Sequence, residues 1–141
     1  TAHAGFDQTT PVGNTIQLDG TGSSDADGDL LSFQWMLSAP SGSSATLNTP
    51  TSATPSFTID HLGNYTVALS VSDGQGTSTP DTVVISTINS WPVAEAGADT
   101  AGQVRQTITL DGSGSLDVDG NALTYQWGLE PIRITRRPGR R

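Results

Sequence analysis

Apolar residues recur at every second position along several short stretches of the chain. Leu31, Phe33, Trp35 and Leu37 share one face, while Ser32, Gln34 and Met36 take the other. That period of two belongs to a half-buried β-strand. The same alternation runs through Tyr65, Val67, Leu69 and Val71, through Val83 and Ile85, and through Ile16 and Leu18. Between these runs lie Asp19-Gly20, Asp27-Gly28, Pro40-Ser41-Gly42, Leu62-Gly63-Asn64 and Asp73-Gly74-Gln75-Gly76, compositions that reverse a chain. Short antiparallel strands with polar outer faces hide their inner faces by stacking two sheets, so the pattern predicts an all-β sandwich. Trp35 lies mid-strand on the inward face, and Gly63-Asn64-Tyr65-Thr66-Val67 has the form of a tyrosine corner. Both features narrow the expectation to an immunoglobulin-like β-sandwich. Its predicted core is Trp35, Leu37, Ile16, Tyr65, Val67, Leu69 and Ile85.

The pattern is duplicated. Thr15-Ile16-x-Leu18-Asp19-Gly20 returns as Thr107-Ile108-x-Leu110-Asp111-Gly112, and Gly22-Ser23-x-Asp25-x-Asp27-Gly28 as Gly114-Ser115-x-Asp117-x-Asp119-Gly120. Leu31-x-Phe33-Gln34-Trp35-x-Leu37 returns as Leu123-x-Tyr125-Gln126-Trp127-x-Leu129. The offset is constant, since 111 minus 19 and 127 minus 35 both give 92, a period of one sandwich and too long for a solenoid. The division expected is therefore one complete repeat at 1–88, part of a second at 92–129, and a basic tail at 130–141 that is foreign to the repeat. Lacking its later strands, the second copy should leave the Tyr125 and Trp127 face partly covered and be less ordered than the first.

Composition fits short strands and turns: the chain is 33% hydrophobic with 16 Gly and 8 Pro. Low apolar content with a net charge of -8 also approaches disorder, and the strand periodicity decides against that. The acidic balance disfavours nucleic acid and anionic membrane as partners. There is no cysteine, which removes disulfides, thiolate metal sites and a cysteine nucleophile. No apolar stretch has transmembrane length, and the N-terminus has no signal-peptide pattern, as expected of a segment lying inside a longer chain.

Ala4-Gly5-Phe6-Asp7-Gln8, Pro92-Val93-Ala94-Glu95-Ala96-Gly97-Ala98-Asp99, the stretch from Leu18 to Gly28 and the stretch from Gly63 to Gly74 occur in order. Together they resemble the PKD (polycystic kidney disease) domain. The resemblance covers residues 2 to 88 and again 92 to 129. The family's WDFGDG motif is absent, with Phe33-Gln34-Trp35-Met36-Leu37 in its place, which is similar to the PKD-like subgroup that keeps the Trp without the turn. The resemblance implies an extracellular module that spaces, presents or binds within multidomain surface proteins, and no chemistry of its own.

Catalytic constellations are not found. His3 and His61 have no metal-ligand spacing, no nucleophile elbow is present, and Gly20-Thr21-Gly22 lacks the third glycine of a phosphate loop. Asp25, Asp27 and Asp29 crowd one loop too tightly for a glycosidase pair. They also fail the calcium loop of an EF-hand, because Gly28 and Met36 stand at the wrong positions. Such carboxylates repel one another, and a hard divalent cation would relieve this; a solvated Asp-Gly turn is the alternative. What the PKD resemblance implies is calcium held by Asp25, Asp27 and Asp73. In the second copy it implies Asp117 and Asp119 with backbone oxygens near Asn89 and Ser90. Trp91, between the repeats, is expected to pack into the interdomain joint, with stacking on a sugar or peptide as the alternative. Asn64-Tyr65-Thr66 fits an N-glycosylation acceptor.

The function expected is a non-catalytic spacer, adhesion or protein-interaction segment of a larger secreted or surface protein. The alternative is an accessory carbohydrate- or matrix-binding module of a secreted hydrolase. The partners expected are protein or carbohydrate ligands at the cell surface and neighbouring repeats, with no membrane insertion.

Overall fold

A computed structural model describes residues 1–129. Six strands form among them: β1 (Gln8–Pro11), β2 (Thr15–Gln17), β3 (Ser32–Ser38), β4 (Ser56–Thr58), β5 (Asn64–Ser72) and β6 (Asp81–Ile88). They make a four-stranded sheet in the order β1-β6-β5-β3 and a two-stranded sheet of β2 and β4. The fold is the all-β, immunoglobulin-like sandwich that the alternation predicts.

Register explains the core. Phe33, Trp35 and Leu37 of β3 stand opposite Val71, Leu69 and Val67 of β5, and Tyr65 stands opposite Ile85 of β6. Inward positions therefore meet inward positions, and a slip of one residue would turn every one of them to water. Across the sandwich, Ile16 pairs with Phe57. Trp35, Tyr65, Val67, Leu69 and Ile85 are at most 2% exposed, and Ile16, Leu18, Phe57 and Ile59 join them. Gln34 and Met36 point outward as expected, Met36 at 72% exposure. Leu37, placed in the core by the sequence, is only half-buried and packs against its edge, because β3 is the last strand of its sheet.

Two latches close the sandwich. Trp35 donates its backbone amide to Pro50 O at 2.8 Å and its indole Nε1–H to Ser52 O at 3.0 Å, tying β3 to the segment before β4. Gly20 faces the ring: a Cβ there would sit 2.9 Å from Trp35 Cζ2 and 3.0 Å from Leu69 Cδ2. At the other end, the Tyr65 hydroxyl accepts the His61 amide at 2.9 Å and lies 3.0 Å from Asp60 Oδ1, the tyrosine corner read from the sequence.

The structure corrects the expectation of purely antiparallel pairing. β1 runs parallel to β6, from Gln8 opposite Ile85 to Pro11 opposite Ile88. β6 is already paired to β5 on one edge, and the entering chain covers its other edge in the direction in which it arrives.

Residues 92–129 contribute no strand. Their backbone pairing is the Val93–Leu116 bridge, bonded in both directions at 2.8 and 3.0 Å. Tyr125 and Trp127 are 55% and 49% exposed. The basic run at 130–141 lies outside the described residues.

Candidate functional site

The predicted acidic residues divide between two places. In the first repeat, Asp25 Oδ1 accepts the amides of Asp27 at 2.9 Å and Asp29 at 3.3 Å, a side chain closing its own loop. Asp73 Oδ1 accepts the amides of Gly76 and Gln75, both at 2.7 Å. The Gly76 bond and then the Gln75 bond hold its carboxyl below the usual carboxylate range. Asp25 and Asp73 line a common pocket of about 240 Å³ with Thr1, Leu31 and Ser78, so topology brings together loops 48 residues apart (73 minus 25). Asp27 and Asp29 are exposed beside it.

In the second repeat the loop is the same and its surroundings differ. Asp117 Oδ1 accepts the amides of Asp119 at 2.9 Å and Asn121 at 3.4 Å. Asp119 is only 8% exposed, and its Oδ2 accepts the Ser90 amide at 2.5 Å. Asp119 Oδ1 is buried with no hydrogen-bond partner. Alongside, Asn121 Nδ2 donates to Asn89 Oδ1 at 2.7 Å. The linker between repeats is thus fastened to the second repeat's aspartate loop through Asn89 and Ser90. An ionised carboxylate held from water with an oxygen unspent is costly unless a cation or a donor reaches it. Among the described residues, no three acidic or histidine side chains converge as a metal-holding group, so any cation here would depend on backbone and amide oxygens for most of its shell.

Trp91 does not pack into the joint. Its ring is 90% exposed, which corrects the expectation drawn from its place between repeats. The linker is held by backbone and amide hydrogen bonds at Asn89 and Ser90, and these leave the indole outside. His3 accepts the Gly5 amide at 3.2 Å on Nδ1 and meets Phe6 edge to face, a local structural use. Asn64 and Thr66 are exposed at the start of β5.

Sequence reading missed Asp60. It accepts Ser43 Oγ at 2.5 Å, the Ser44 amide at 2.6 Å and Ser44 Oγ at 2.8 Å, besides facing the Tyr65 hydroxyl. The Ser43 hydroxyl first, and then the Ser44 amide, push its carboxyl far below the ordinary range. These donors lie 16 and 17 residues upstream, and no local pattern announces them.

The sequence model of the PKD domain matches residues 1–87 and again residues 89–130. This chain belongs to the PKD domain family. PKD domains are generally non-catalytic modules of larger proteins, and both repeats are matched to that family. A pre-pro-metalloprotease, PrtV of Vibrio cholerae, is 31% identical over 116 residues, which are 81% of this chain and 11% of that protein. The chain thus spans about a ninth of the relative it matches. A nucleoside hydrolase-related hypothetical protein from Saccharophagus degradans, associated with carbohydrate metabolism, aligns at 26% identity with a TM-score of 0.50 over 59% of this chain and 22% of its own. The PKD domain of the KIAA 1837 protein aligns at 26% identity and a TM-score of 0.48, over 71% of this chain and 92% of its own.

Proposed function

We propose that the chain is an extracellular spacer and adhesion segment, in which tandem PKD repeats hold a set relation to one another within a larger secreted or surface protein. The observation that carries this reading is the fastened linker, with Ser90 bonded to Asp119 and Asn89 to Asn121. A loose tether would leave those amides to water; here they fix where the second repeat begins. Protein or carbohydrate ligands at the cell surface are the partners that such a presenting module serves.

Calcium belongs to the same proposal. The unspent Asp119 Oδ1, with Asp117 and the oxygens around Asn89 and Ser90, offers a hard cation the counter-charge position the carboxylate lacks. In the first repeat Asp25 and Asp73, which line one pocket, would hold the ion, with the exposed Asp27 and Asp29 beside them. The ion's contribution is stiffness and stability, and no reaction passes through it.

The test is a thermal melt joined to a spin-label distance distribution across residue 90, with calcium and with excess chelator, on the wild type, Asp27→Asn and Asp119→Asn. Calcium at ~100 times Kd should add about 2.7 kcal/mol, and the distribution should be narrow in the wild type and broad in Asp119→Asn. A wild type indifferent to chelator removes calcium. A distribution that is broad under every condition removes the spacer.

A second reading, an accessory carbohydrate- or matrix-binding module, is favoured by one observation, the 90% exposure of Trp91. Indole faces stack on sugar rings and peptides. Retardation on neutral polysaccharide gels that disappears in Trp91→Ala would support it, and equal mobility of the two proteins would end it.

A further inference from the structure

Five Asp-Gly pairs occur in the chain: Asp19-Gly20, Asp27-Gly28, Asp73-Gly74, Asp111-Gly112 and Asp119-Gly120. Each sets a carboxyl beside an amide nitrogen that no side chain shields, so the nitrogen can close a five-membered ring on Cγ. Hydrogen bonds made by either group restrain that approach. Four of the pairs are restrained. Asp19 Oδ1 accepts the Thr21 amide at 2.9 Å, and the Gly20 amide donates to Ala53 O at 2.8 Å. Asp73 Oδ1 is spent on the Gln75 and Gly76 amides, and the Gly74 amide donates to Ser72 Oγ at 3.2 Å. Asp111 Oδ1 accepts the Ser113 amide at 2.9 Å, and a Cβ on Gly112 would press on Trp127 at 3.1 Å. Asp119 Oδ2 accepts the Ser90 amide, and the Gly120 amide donates to Asp117 O at 3.1 Å. Asp27-Gly28 is different. Asp25 Oδ1 takes the amides of Asp27 and Asp29 and passes over the Gly28 amide between them. Among the described residues, neither the Gly28 amide nor the Asp27 carboxylate makes a hydrogen bond. Asp27 is exposed, and a Cβ on Gly28 would meet nothing within 4 Å.

We propose that Asp27-Gly28 is the site the fold leaves open to spontaneous backbone isomerisation, yielding the isoaspartyl group that isoaspartate-methylating enzymes take as substrate. The Gly28 nitrogen attacks Cγ of the protonated Asp27 side chain. The N–Cγ bond forms, the amide proton and the carboxyl hydroxyl leave together as one water, and a succinimide results. Water then adds back at either ring carbonyl. Opening at Cγ breaks the new bond and restores aspartate; opening at the main-chain carbonyl breaks the original peptide bond and leaves the chain running through Cβ and Cγ. Nothing is oxidised or reduced. The competing loss of ammonia at Asn89-Ser90 is restrained, because both ends of the Asn89 amide are bonded and the Ser90 amide is held by Asp119. Isomerisation inserts one carbon into the main chain between the two amides that Asp25 holds, so the Asp29 bond, the longer at 3.3 Å, is the one that should be lost. The inference needs neither the joint nor calcium.

The experiment ages the full chain for several weeks in mildly acidic buffer at body temperature, in chelator so that the outcome does not depend on calcium. Digestion and electron-transfer fragmentation then separate isoaspartate from aspartate at each position. Isoaspartate should collect at residue 27 severalfold above each of the other four Asp-Gly pairs and above Asn89, preceded by a species one water lighter. In concentrated urea, where the fold no longer chooses, the five pairs should age at similar rates. Asp27→Glu, whose longer side chain would have to close a six-membered ring, should remove most of the signal from the folded chain. The proposal is overturned by equal accumulation at the five pairs in the folded chain, by a leading site elsewhere, by a total that Asp27→Glu leaves unchanged, or by no isoaspartate at all. A lead at residue 27 that persists in urea also overturns it, since the local sequence and not the fold would then be choosing.

Discussion

Ile16, Leu18 and Trp35 are 6%, 1% and 2% exposed, whereas their counterparts Ile108, Leu110 and Trp127 are 38%, 54% and 49% exposed. The turns of the two repeats nevertheless match bond for bond. His3 N and Glu95 N donate to Ser23 Oγ and Ser115 Oγ, both at 3.0 Å. Thr21 N and Ser113 N donate to Asp19 and Asp111 Oδ1, both at 2.9 Å. The Asp25 and Asp117 loops close alike, and the bridge between Val93 and Leu116 repeats that between Thr1 and Ser24. The aspartate turns are written in neighbouring residues, since Asp19, Asp25, Asp111 and Asp117 bond amides only two to four positions away; the Ser23 and Ser115 bonds and the two bridges span 20 and 23 residues and fasten the entering segment to these turns in both repeats. Strands do not form so. β3 needs β5 some thirty residues on, and the corresponding stretch 123–129 stays unpaired. Asp27 and Asp119 differ in the opposite sense, exposed in the first repeat and buried in the second, where the Ser90 amide is bonded to Asp119.

The sharpest way to break this contrast is to truncate the two tryptophans. Trp35→Ala should destabilise the first repeat by about 3 to 5 kcal/mol, while Trp127→Ala should shift the same unfolding transition by no more than about 0.5 kcal/mol. Equal losses in urea melts would mean that the repeats share one core. Filling the glycine floor comes next. Gly20→Ala forces a methyl against Trp35, Leu69 and the Ala53 carbonyl and should lose about 1 to 3 kcal/mol; Gly112→Ala meets only half-exposed rings that can move aside, and should lose measurably less by the same melt.

Tyr65→Phe tests the corner, which has no counterpart among the described residues of the second repeat. Loss of the hydroxyl shared by the His61 amide and Asp60 should lower first-repeat stability by about 1 kcal/mol; an unchanged melting temperature would reduce the corner to geometry alone. The smallest effect is acidic. The folded-state pKa of Asp60 is depressed, through Ser43 first, so its stabilisation is complete above the unfolded carboxylate value of ~4 and is lost as pH falls through the folded value. Asp60→Asn should flatten the low-pH limb of first-repeat stability. Asp111, held down by Ser113, should leave that limb unchanged when replaced by Asn.

The sandwich was legible wherever a strand was long enough to show its period. β3, β5 and β6 have seven, nine and eight residues, and their inward residues were read correctly apart from the edge position Leu37. β4 was not legible, because three residues around Phe57 cannot display an alternation. Nor was β1: Gln8-Thr9-Thr10-Pro11 carries no large apolar residue, and its place is set by the free edge of β6. At the candidate site, the Asp25 and Asp117 loops could be read because their bonds are local. The burial of Asp119 and the exposure of Trp91 could not, since both depend on the path of a linker whose composition is neutral between the two outcomes.

The parallel pairing of β1 with β6 bears on what happens when the molecule is stretched. β1 is the first strand of its repeat and β6 the last, and they run the same way from Gln8 beside Ile85 to Pro11 beside Ile88. Tension on the two ends of the repeat therefore drags these strands in opposite directions along their own length. The ladder is loaded in shear, with all its bonds strained together, and does not peel open one bond at a time as a hairpin pulled at its ends would. Two further ties lie across the same seam, the Ala4 amide on Asp81 at 2.7 Å and the Val84 amide on Asp7 at 2.8 Å. Force entering through the N-terminal segment meets these fastenings before it reaches the core, so the repeat should lengthen little until the whole seam gives way in a single step.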